Sequence, residues 1–189
     1  MAVHVATLDR THFLKRTDLA LEAVARVDDP RLHLLVVGDG EWRARLQASP
    51  AARRLGDRVH FAGHRDHDAL PAALRAGDLF LLTSDLDTFP LVLLEALACG
   101  LPAVATDTDG VRAMMDSSDA AVLVRTGDAE AIRGRARAGH RRSRGARAPR
   151  RRGARLRRRA LRPERGRRPA GGGLRRGAQR SARTRRSTA

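Results

Sequence analysis

The sequence predicts an α/β fold, with a Rossmann-like parallel sheet that carries helices on both faces. Short apolar runs recur along residues 1–132, segments with helical periodicity separate them, and several runs end in glycine or an acidic residue. Continuous apolar runs are typical of strands buried on both faces, and their alternation with helices indicates right-handed βαβ units. Ligands of such sheets bind beyond the carboxyl ends of the strands, so candidate site residues are expected there.

Four of the apolar runs are predicted to be strands from their composition and from the turn residues that end them. They cover residues 31–40, 57–63, 78–83 and 103–106. One helix is predicted over residues 42–52. A shorter helix is predicted over residues 68–75 with Asp68 as its N-cap, because an aspartate side chain can accept a hydrogen bond from the first helical turn.

Asp87 and Glu95 flank a predicted helix start between the last two strands. Thr88 is predicted to cap this helix, which would begin near Phe89 and Pro90, since proline suits the first helical position. The N–H groups of the first turn favour an anion. Carboxylates on either side of this turn can accept hydrogen bonds from hydroxyl groups next to a bound phosphate. A phosphate group that lies between two sugars is found in a nucleotide-sugar, so a ligand of that class is indicated.

Residues 87–95, Asp-Thr-Phe-Pro-Leu-Val-Leu-Leu-Glu, resemble the E-x7-E signature of the group 1 (family 4) retaining glycosyltransferases of the GT-B fold. The chain has Asp where the signature has its first Glu. The resemblance implies that a hexose passes from a nucleotide diphosphate sugar to an acceptor hydroxyl with retention. It also implies that Asp87 contacts the transferred sugar and that Glu95 contacts the ribose. The turn that would donate amides to the phosphate is formed by Thr88, Phe89, Pro90 and Leu91.

Two cations belong to the loop after the first predicted strand. Residues 5–15 resemble the first strand and loop of the family's donor domain, where a basic pair meets the diphosphate, and this assigns that role to Arg10 and Lys15. Lys15 is the only lysine in the chain. Fixed positive charge would stabilise the diphosphate as it leaves. No metal or other cofactor is therefore expected.

The chain departs from the family pattern twice beside this pair. Many members carry Gly-Arg directly after the first strand, where this chain has Ala6-Thr7, and many carry glycine after the lysine, where this chain has Arg16. The resemblance also places His12 near the sugar or the acceptor. A solvated loop without a role in binding is the alternative interpretation of Arg10 and Lys15.

A third match concerns the nucleobase. Residues 58–64 resemble the strand and turn whose backbone reads the base, which assigns Phe61 and Gly63 to the donor site. Gly38, in the turn Gly38-Asp39-Gly40, is expected to border the same site. No third glycine follows at the spacing of a dinucleotide-binding fingerprint, so that type of site is not predicted.

Residues 133–189 differ in composition from the rest of the chain. They contain 24 arginines and one acidic residue, Glu164, which gives +23 and leaves −6 of the net +17 for residues 1–132. Dense like charge with few apolar residues predicts a disordered tail. A frameshift in a GC-rich gene is the favoured origin. The charge of such a tail would still bind polyanions non-specifically. A nucleic-acid-binding arm and a polybasic contact with a membrane surface are the alternatives.

The expected organisation is one nucleotide-sugar-binding domain over residues 1–132, the C-terminal half of a GT-B fold, followed by the tail. The family resemblance implies a second, N-terminal GT-B domain with the acceptor site, so the expectation is an incomplete enzyme: either a separate chain carries that domain or this chain is a fragment. The acceptor is unknown. Cys99 is the only cysteine, and no apolar run or leader suggests a membrane span, so a cytoplasmic protein, at most peripheral at the membrane, is expected. The alternatives are a non-catalytic nucleotide-sugar-binding remnant and an arginine-rich protein associated with nucleic acid.

Overall fold

A computed structural model describes residues 1–10, 12–115 and 121–145, except for the side chains of His12 and of residues 141–145. Its centre is a six-stranded sheet in the order β3-β2-β1-β4-β5-β6, and all neighbouring strands are parallel. The strands are β1 (Ala2–Val5), β2 (Leu34–Val37), β3 (Val59–Phe61), β4 (Leu79–Leu82), β5 (Ala103–Thr106) and β6 (Ala121–Val124). The predicted Rossmann-like α/β fold is confirmed.

Helices cover both faces of this sheet. They are α1 (His12–Lys15), α2 (Thr17–Ala25), α3 (Arg43–Gln47), α4 (Pro50–Leu55), α5 (Leu70–Arg75), α6 (Leu91–Ala98), α7 (Asp109–Met115) and α8 (Ala129–Gly145). A 3-10 turn at Gly56–Arg58 precedes β3.

Alternate residues of each strand enter two separate cores. Leu34 and Val36 pack with α2, α4 and α8, whereas Leu35 and Val37 pack with α5, α6 and α7. The alternation follows from the two-residue period of side chains along a strand. Strands that bury both rows must be apolar at almost every position, which is why the apolar runs located them.

The predicted helix over residues 42–52 is two helices, α3 and α4. Pro50 lacks the N–H that a continuous helix would use, and it stands at the start of α4. Ser49 caps that start, since its Oγ accepts a hydrogen bond from the Ala52 N–H at 3.2 Å. The predicted cap at Asp68 was also wrong. The residue before α5 is Ala69, and no side chain caps this helix.

The predicted boundary after Ile132 falls inside α8, so the expectation of a disordered chain from residue 133 onward was wrong for residues 133–140. Ile132, Ala136 and His140 are buried along one side of this helix, which packs against α2 and the sheet. Their four-residue spacing places them on one face, while arginines occupy other faces. The sequence analysis did not recognise this spacing because arginines stand between the buried residues. The interpretations of the tail beyond residue 145 concern residues outside those described.

Replacing Ala136 with Asp is expected to destabilise the domain by about 3–5 kcal/mol, because it places a charge without a partner in the core beneath α8. Ala138 is exposed on the same helix, so Ala138→Asp makes the same chemical change on the solvent side. Urea unfolding of the full chain measures both. Equal losses in the two variants would contradict the packing of α8 on the sheet.

Candidate functional site

The candidate site lies where β1 and β4 end side by side at the centre of the sheet. The chain runs from β1 outward through β2 and β3 on one side, and from β4 outward through β5 and β6 on the other. The loops that follow β1 and β4 therefore turn towards opposite faces. A crevice between such loops is where open parallel sheets hold their ligands.

Lys15 and Asp87 meet in this crevice, although 72 positions separate them in the sequence. The Lys15 Nζ atom lies 2.8 Å from Asp87 Oδ2. The Asp87 side chain is 8% exposed and that of Lys15 is 34% exposed, so the pair is partly shielded from water. Ser84 Oγ also donates to Asp87 Oδ2, at 3.4 Å. The fold thus joins two of the predicted catalytic residues.

The backbone around this pair is fixed by hydrogen bonds between the two loops. Thr83 Oγ1 lies 3.0 Å from the Lys15 carbonyl oxygen and 2.8 Å from that of Arg16. The Asp85 N–H donates to the Leu14 carbonyl oxygen at 2.8 Å. The cation and the carboxylate are therefore carried by loops whose relative position is held by the Thr83 hydroxyl and by one hydrogen bond between backbones.

The turn before α6 differs from its prediction. α6 begins at Leu91 with Pro90 as its N-cap residue, no side chain caps it, and Thr88 is exposed. The Leu91 N–H donates to the Phe89 carbonyl oxygen at 2.9 Å, so this amide is engaged within the turn. The phenyl ring of Phe89 and the side chain of Leu91 are exposed. Proline at the N-cap rather than at the first helical position moves the start of the helix past Thr88.

Glu95 follows on α6 and has a partner that sequence reasoning missed. Its Oε1 atom lies 3.3 Å from Nδ1 of His67 in the loop between β3 and α5, and the two side chains are 31% and 85% exposed. No local pattern connects these residues. The order of the strands brings them together.

The turns after β2 and β3 meet beside the loop that follows β1. The Gly38 N–H donates to the Gly63 carbonyl oxygen at 2.8 Å. Gly38 has φ +140°, and a Cβ atom there would lie 1.8 Å from the Ala6 carbonyl oxygen, so only glycine fits. The predicted donor residues Gly38 and Gly63 are thus in contact. Arg43, which the sequence did not indicate, donates to the Phe61 carbonyl oxygen at 3.2 Å.

Gly110 is a further residue that the sequence analysis missed. A Cβ atom on it would lie 2.2 Å from the Asp87 carbonyl oxygen and 2.4 Å from that of Thr88. The loop that carries Asp87 therefore rests directly on the backbone at the start of α7. Thr108 strengthens this contact, because its Oγ1 donates to the Asp87 carbonyl oxygen at 3.2 Å. A glycine within a helical segment was the available signal.

Arg10 is not brought to the ion pair in the same way. Arg10 is 93% exposed, and its Nε atom lies 3.8 Å from Glu41 Oε1. His12 opens α1, but its side chain lies outside the described residues. The roles assigned to both by resemblance stay predictions.

His4 lies on β1 beneath the site and is fully buried. Its Nδ1 atom lies 3.0 Å from the Leu81 carbonyl oxygen, and its Nε2 atom lies 3.0 Å from Thr17 Oγ1. Since a carbonyl oxygen can only accept, Nδ1 carries the proton and Nε2 accepts from the Thr17 hydroxyl. Burial lowers the pKa of His4 to about 4. The ring is neutral at physiological pH and ties β1 to β4 and α2.

Two global features concern only the part of the chain that the structure describes. No helix in that part combines the length and the apolar character needed to cross a membrane. Nor does any group of three or more His, Cys, Asp or Glu side chains there form a candidate metal site. The expectation that no metal is needed stays a prediction.

Comparisons with known proteins agree with this architecture. The family model described as "Glycosyl transferases group 1" matches residues 3–138. N-acetyl-alpha-D-glucosaminyl L-malate synthase of Bacillus anthracis is 32% identical over 131 residues, which is 69% of this chain and 33% of that protein. The lipopolysaccharide core biosynthesis glycosyltransferase LpsE of Rhizobium meliloti is 38% identical over 110 residues, or 58% and 31%. The chain thus spans about a third of the length of these relatives.

Among solved structures, HepE of Anabaena in complex with UDP-glucose superimposes with a TM-score of 0.64 at 23% identity. The superposition covers 76% of this chain and 39% of that chain. It supports the fold independently of the sequence match.

Proposed function

Because the chain belongs to the group 1 glycosyltransferases, we propose that it is a donor-binding domain that holds a nucleotide diphosphate sugar between the loops after β1 and β4. The observation that carries this proposal is the pair formed by Lys15 Nζ and Asp87 Oδ2 at 2.8 Å. It combines a cation suited to a diphosphate with a carboxylate suited to sugar hydroxyls. The UDP-glucose bound to the structurally similar HepE supports this class of ligand.

Each site residue is proposed to contact a different part of the donor molecule. Lys15, with Arg10 as the second cation, faces the diphosphate, while Asp87 accepts hydrogen bonds from hydroxyls of the hexose. Glu95 accepts from the ribose, and the backbone near Phe61 and Gly63 contacts the base. Lys15 would leave Asp87 for the diphosphate when the donor binds, and the sugar hydroxyls would take its place on the carboxylate.

In the complete enzyme, the proposed reaction is hexosyl transfer with retention. The bond between the anomeric carbon and the diphosphate oxygen breaks, and its electron pair stays on the diphosphate. The acceptor oxygen bonds to the anomeric carbon on the same face, and the acceptor proton passes to the diphosphate. Lys15 stabilises the negative charge that develops on the leaving group. A separate N-terminal GT-B domain is the proposed source of the acceptor site.

A nucleotide-sugar binder without transferase activity is the second candidate. The observation that favours it is the length of the match, since the chain covers only about a third of the relatives' own sequences. Both candidates need the same donor site. They differ in whether sugar is transferred once an acceptor domain is supplied.

Calorimetry of the full chain with UDP-glucose, GDP-mannose, UDP and GDP tests donor binding, at moderate salt to weaken non-specific binding of anions by arginines. We expect saturable binding of one nucleotide class. Glu95→Gln is expected to weaken it about 10-fold, because a hydrogen bond from the ribose to a carboxylate is exchanged for one to a neutral amide.

Glu130→Gln is the matched control, since it makes the same change at an exposed position on α8 whose partners, Arg26 and Arg133, have no assigned donor contact. Binding of inorganic pyrophosphate with equal strength would reveal simple anion binding. Failure of a folded chain to bind any of the four nucleotides would contradict the proposed function.

A further inference from the structure

Arg16 holds a backbone conformation that its residue type disfavours. Its φ of 50° and ψ of 49° lie in the left-handed region, and within the described chain it is the only residue other than glycine with a positive φ. A Cβ atom makes this region unfavourable, whereas glycine adopts it freely. The side chain of Arg16 must therefore make contacts that offset this cost.

The Arg16 guanidinium joins two elements. Its Nε and Nη2 atoms bind the Asp18 carboxylate in the first turn of α2, at 3.1–3.2 Å. Its Nη1 atom donates to Asp85 Oδ2 in the loop after β4, at 2.7 Å. Arg16 is 27% exposed; its contact with Asp18 is partly buried, whereas its contact with Asp85 is exposed to solvent. Arg16 can make both contacts at once because a guanidinium group carries several N–H donors in one plane.

Each end of this bridge lies next to a residue of the ion pair. Arg16 directly follows Lys15, and Asp85 lies two residues before Asp87. The bridge thus spans the same two loops as the contact between Lys15 Nζ and Asp87 Oδ2. Hydrogen bonds from Thr83 and from the Asp85 N–H already join the backbones of these loops, and the bridge adds a contact between side chains.

We infer that Arg16 is a positioning residue: its bridge to Asp85 fixes the spacing of the loops that carry Lys15 and Asp87. In the chain without donor this holds the ammonium against the carboxylate, and it presets the distance between the two groups for the donor. The part of this inference that concerns the donor rests on the proposed function. Arg16 acts through Lys15 and Asp87 and contacts no donor atom. Asp18 binds the guanidinium from α2 and does not reach the loop after β4.

Amine acetylation of Lys15 in the full chain tests the bridge without any ligand. Lys15 is the only lysine, so the α-amino group is the one other amine that the reagent can acetylate. Mass spectrometry of the peptide that contains Lys15 measures its acetylation separately from that of the α-amino group. Arg16→Gly keeps the backbone conformation accessible and removes the guanidinium. We expect its Lys15 to be acetylated about five-fold faster, the change that corresponds to losing a partly exposed ion pair.

Asp85→Ala is expected to give the same acceleration, and the double variant no more than either single change. Asp18→Ala breaks the other arm of the bridge and is expected to stay within about two-fold, because that arm does not reach the site loop. A general loss of stability would raise the rate in all these variants, and thermal unfolding of each variant is measured in parallel.

Donor affinity supplies the second measurement. If the parent chain binds a nucleotide-sugar, Arg16→Gly and Asp85→Ala are each expected to weaken binding about five-fold, since the bridge presets the site. If the parent binds none, the proposed function fails, but acetylation still decides the role of Arg16. Unchanged acetylation in both folded variants would overturn the inference, and so would equal acceleration in Asp18→Ala.

Discussion

Replacing Lys15 with Ala is expected to weaken binding of the nucleotide-sugar by about 10- to 150-fold, which corresponds to about 1.5–3 kcal/mol for a hydrogen bond between charged groups. The variant removes the cation proposed to face the diphosphate. It also leaves the Asp87 carboxylate, only 8% exposed, without its partner at 2.8 Å. Calorimetry of the full chain with the donor that the parent binds gives the two dissociation constants.

Arg53→Ala is the control for this variant, because it removes one positive charge from an exposed position on α4. Its affinity is expected to stay within about two-fold of the parent, as screening weakens the effect of distant charges. Free UDP or GDP should show the same loss in Lys15→Ala as the sugar nucleotide, since the diphosphate is common to both. A loss confined to the sugar nucleotide would contradict the assignment of Lys15 to the diphosphate.

The stability of the domain is expected to fall as the pH is lowered from about 6.5 to 4, and His4 is the main cause. Burial lowers the pKa of His4 from 6.5 to about 4 in the folded chain. Between these two values the unfolded chain binds a proton that the folded chain excludes, so acid favours unfolding. The loss reaches about 3 kcal/mol at pH 4, at about 1.4 kcal/mol per pH unit. Above pH 6.5 His4 contributes no dependence on pH.

Urea unfolding at a series of pH values measures this effect. His4→Gln replaces the titrating ring with a neutral amide, and its curve is expected to be flatter than that of the parent below pH 6.5. Burial also lowers the pKa of His60, so His60→Gln serves as the comparison at a half-buried site. Parallel curves for the parent and His4→Gln would contradict the assignment of the acid sensitivity to His4.

The fold was predictable because its signals are local. Strands buried on both faces must be apolar at nearly every position, and β2, β4 and β5 were found from that property together with the turn residues that end them. Where a local signal was overlooked, the prediction failed. Ser49 and Pro50 split the helix predicted over residues 42–52, and the spacing of Ile132, Ala136 and His140 carries α8 beyond the predicted boundary.

The candidate site was predictable only in part. The pattern from Asp87 to Glu95 and the position of Lys15 indicated residue types suited to a nucleotide-sugar, but no sequence pattern gives the distance between Lys15 and Asp87. The residues that contact Glu95 and Phe61 were not predicted. His67 beside Glu95 and Arg43 beside Phe61 are contacts between separate loops, and neither loop carries a local sign of them.

The sequence by itself therefore determined the α/β class, the order of most elements and the residue types available to the candidate site, since these depend on periodicity and on composition. Only the tertiary structure decided which side chains meet. The strand order places β1 beside β4, which joins Lys15 to Asp87 and Arg16 to Asp85 across about 70 residues. Contacts of this kind depend on how the strands are ordered, and strand order is a property of the whole chain.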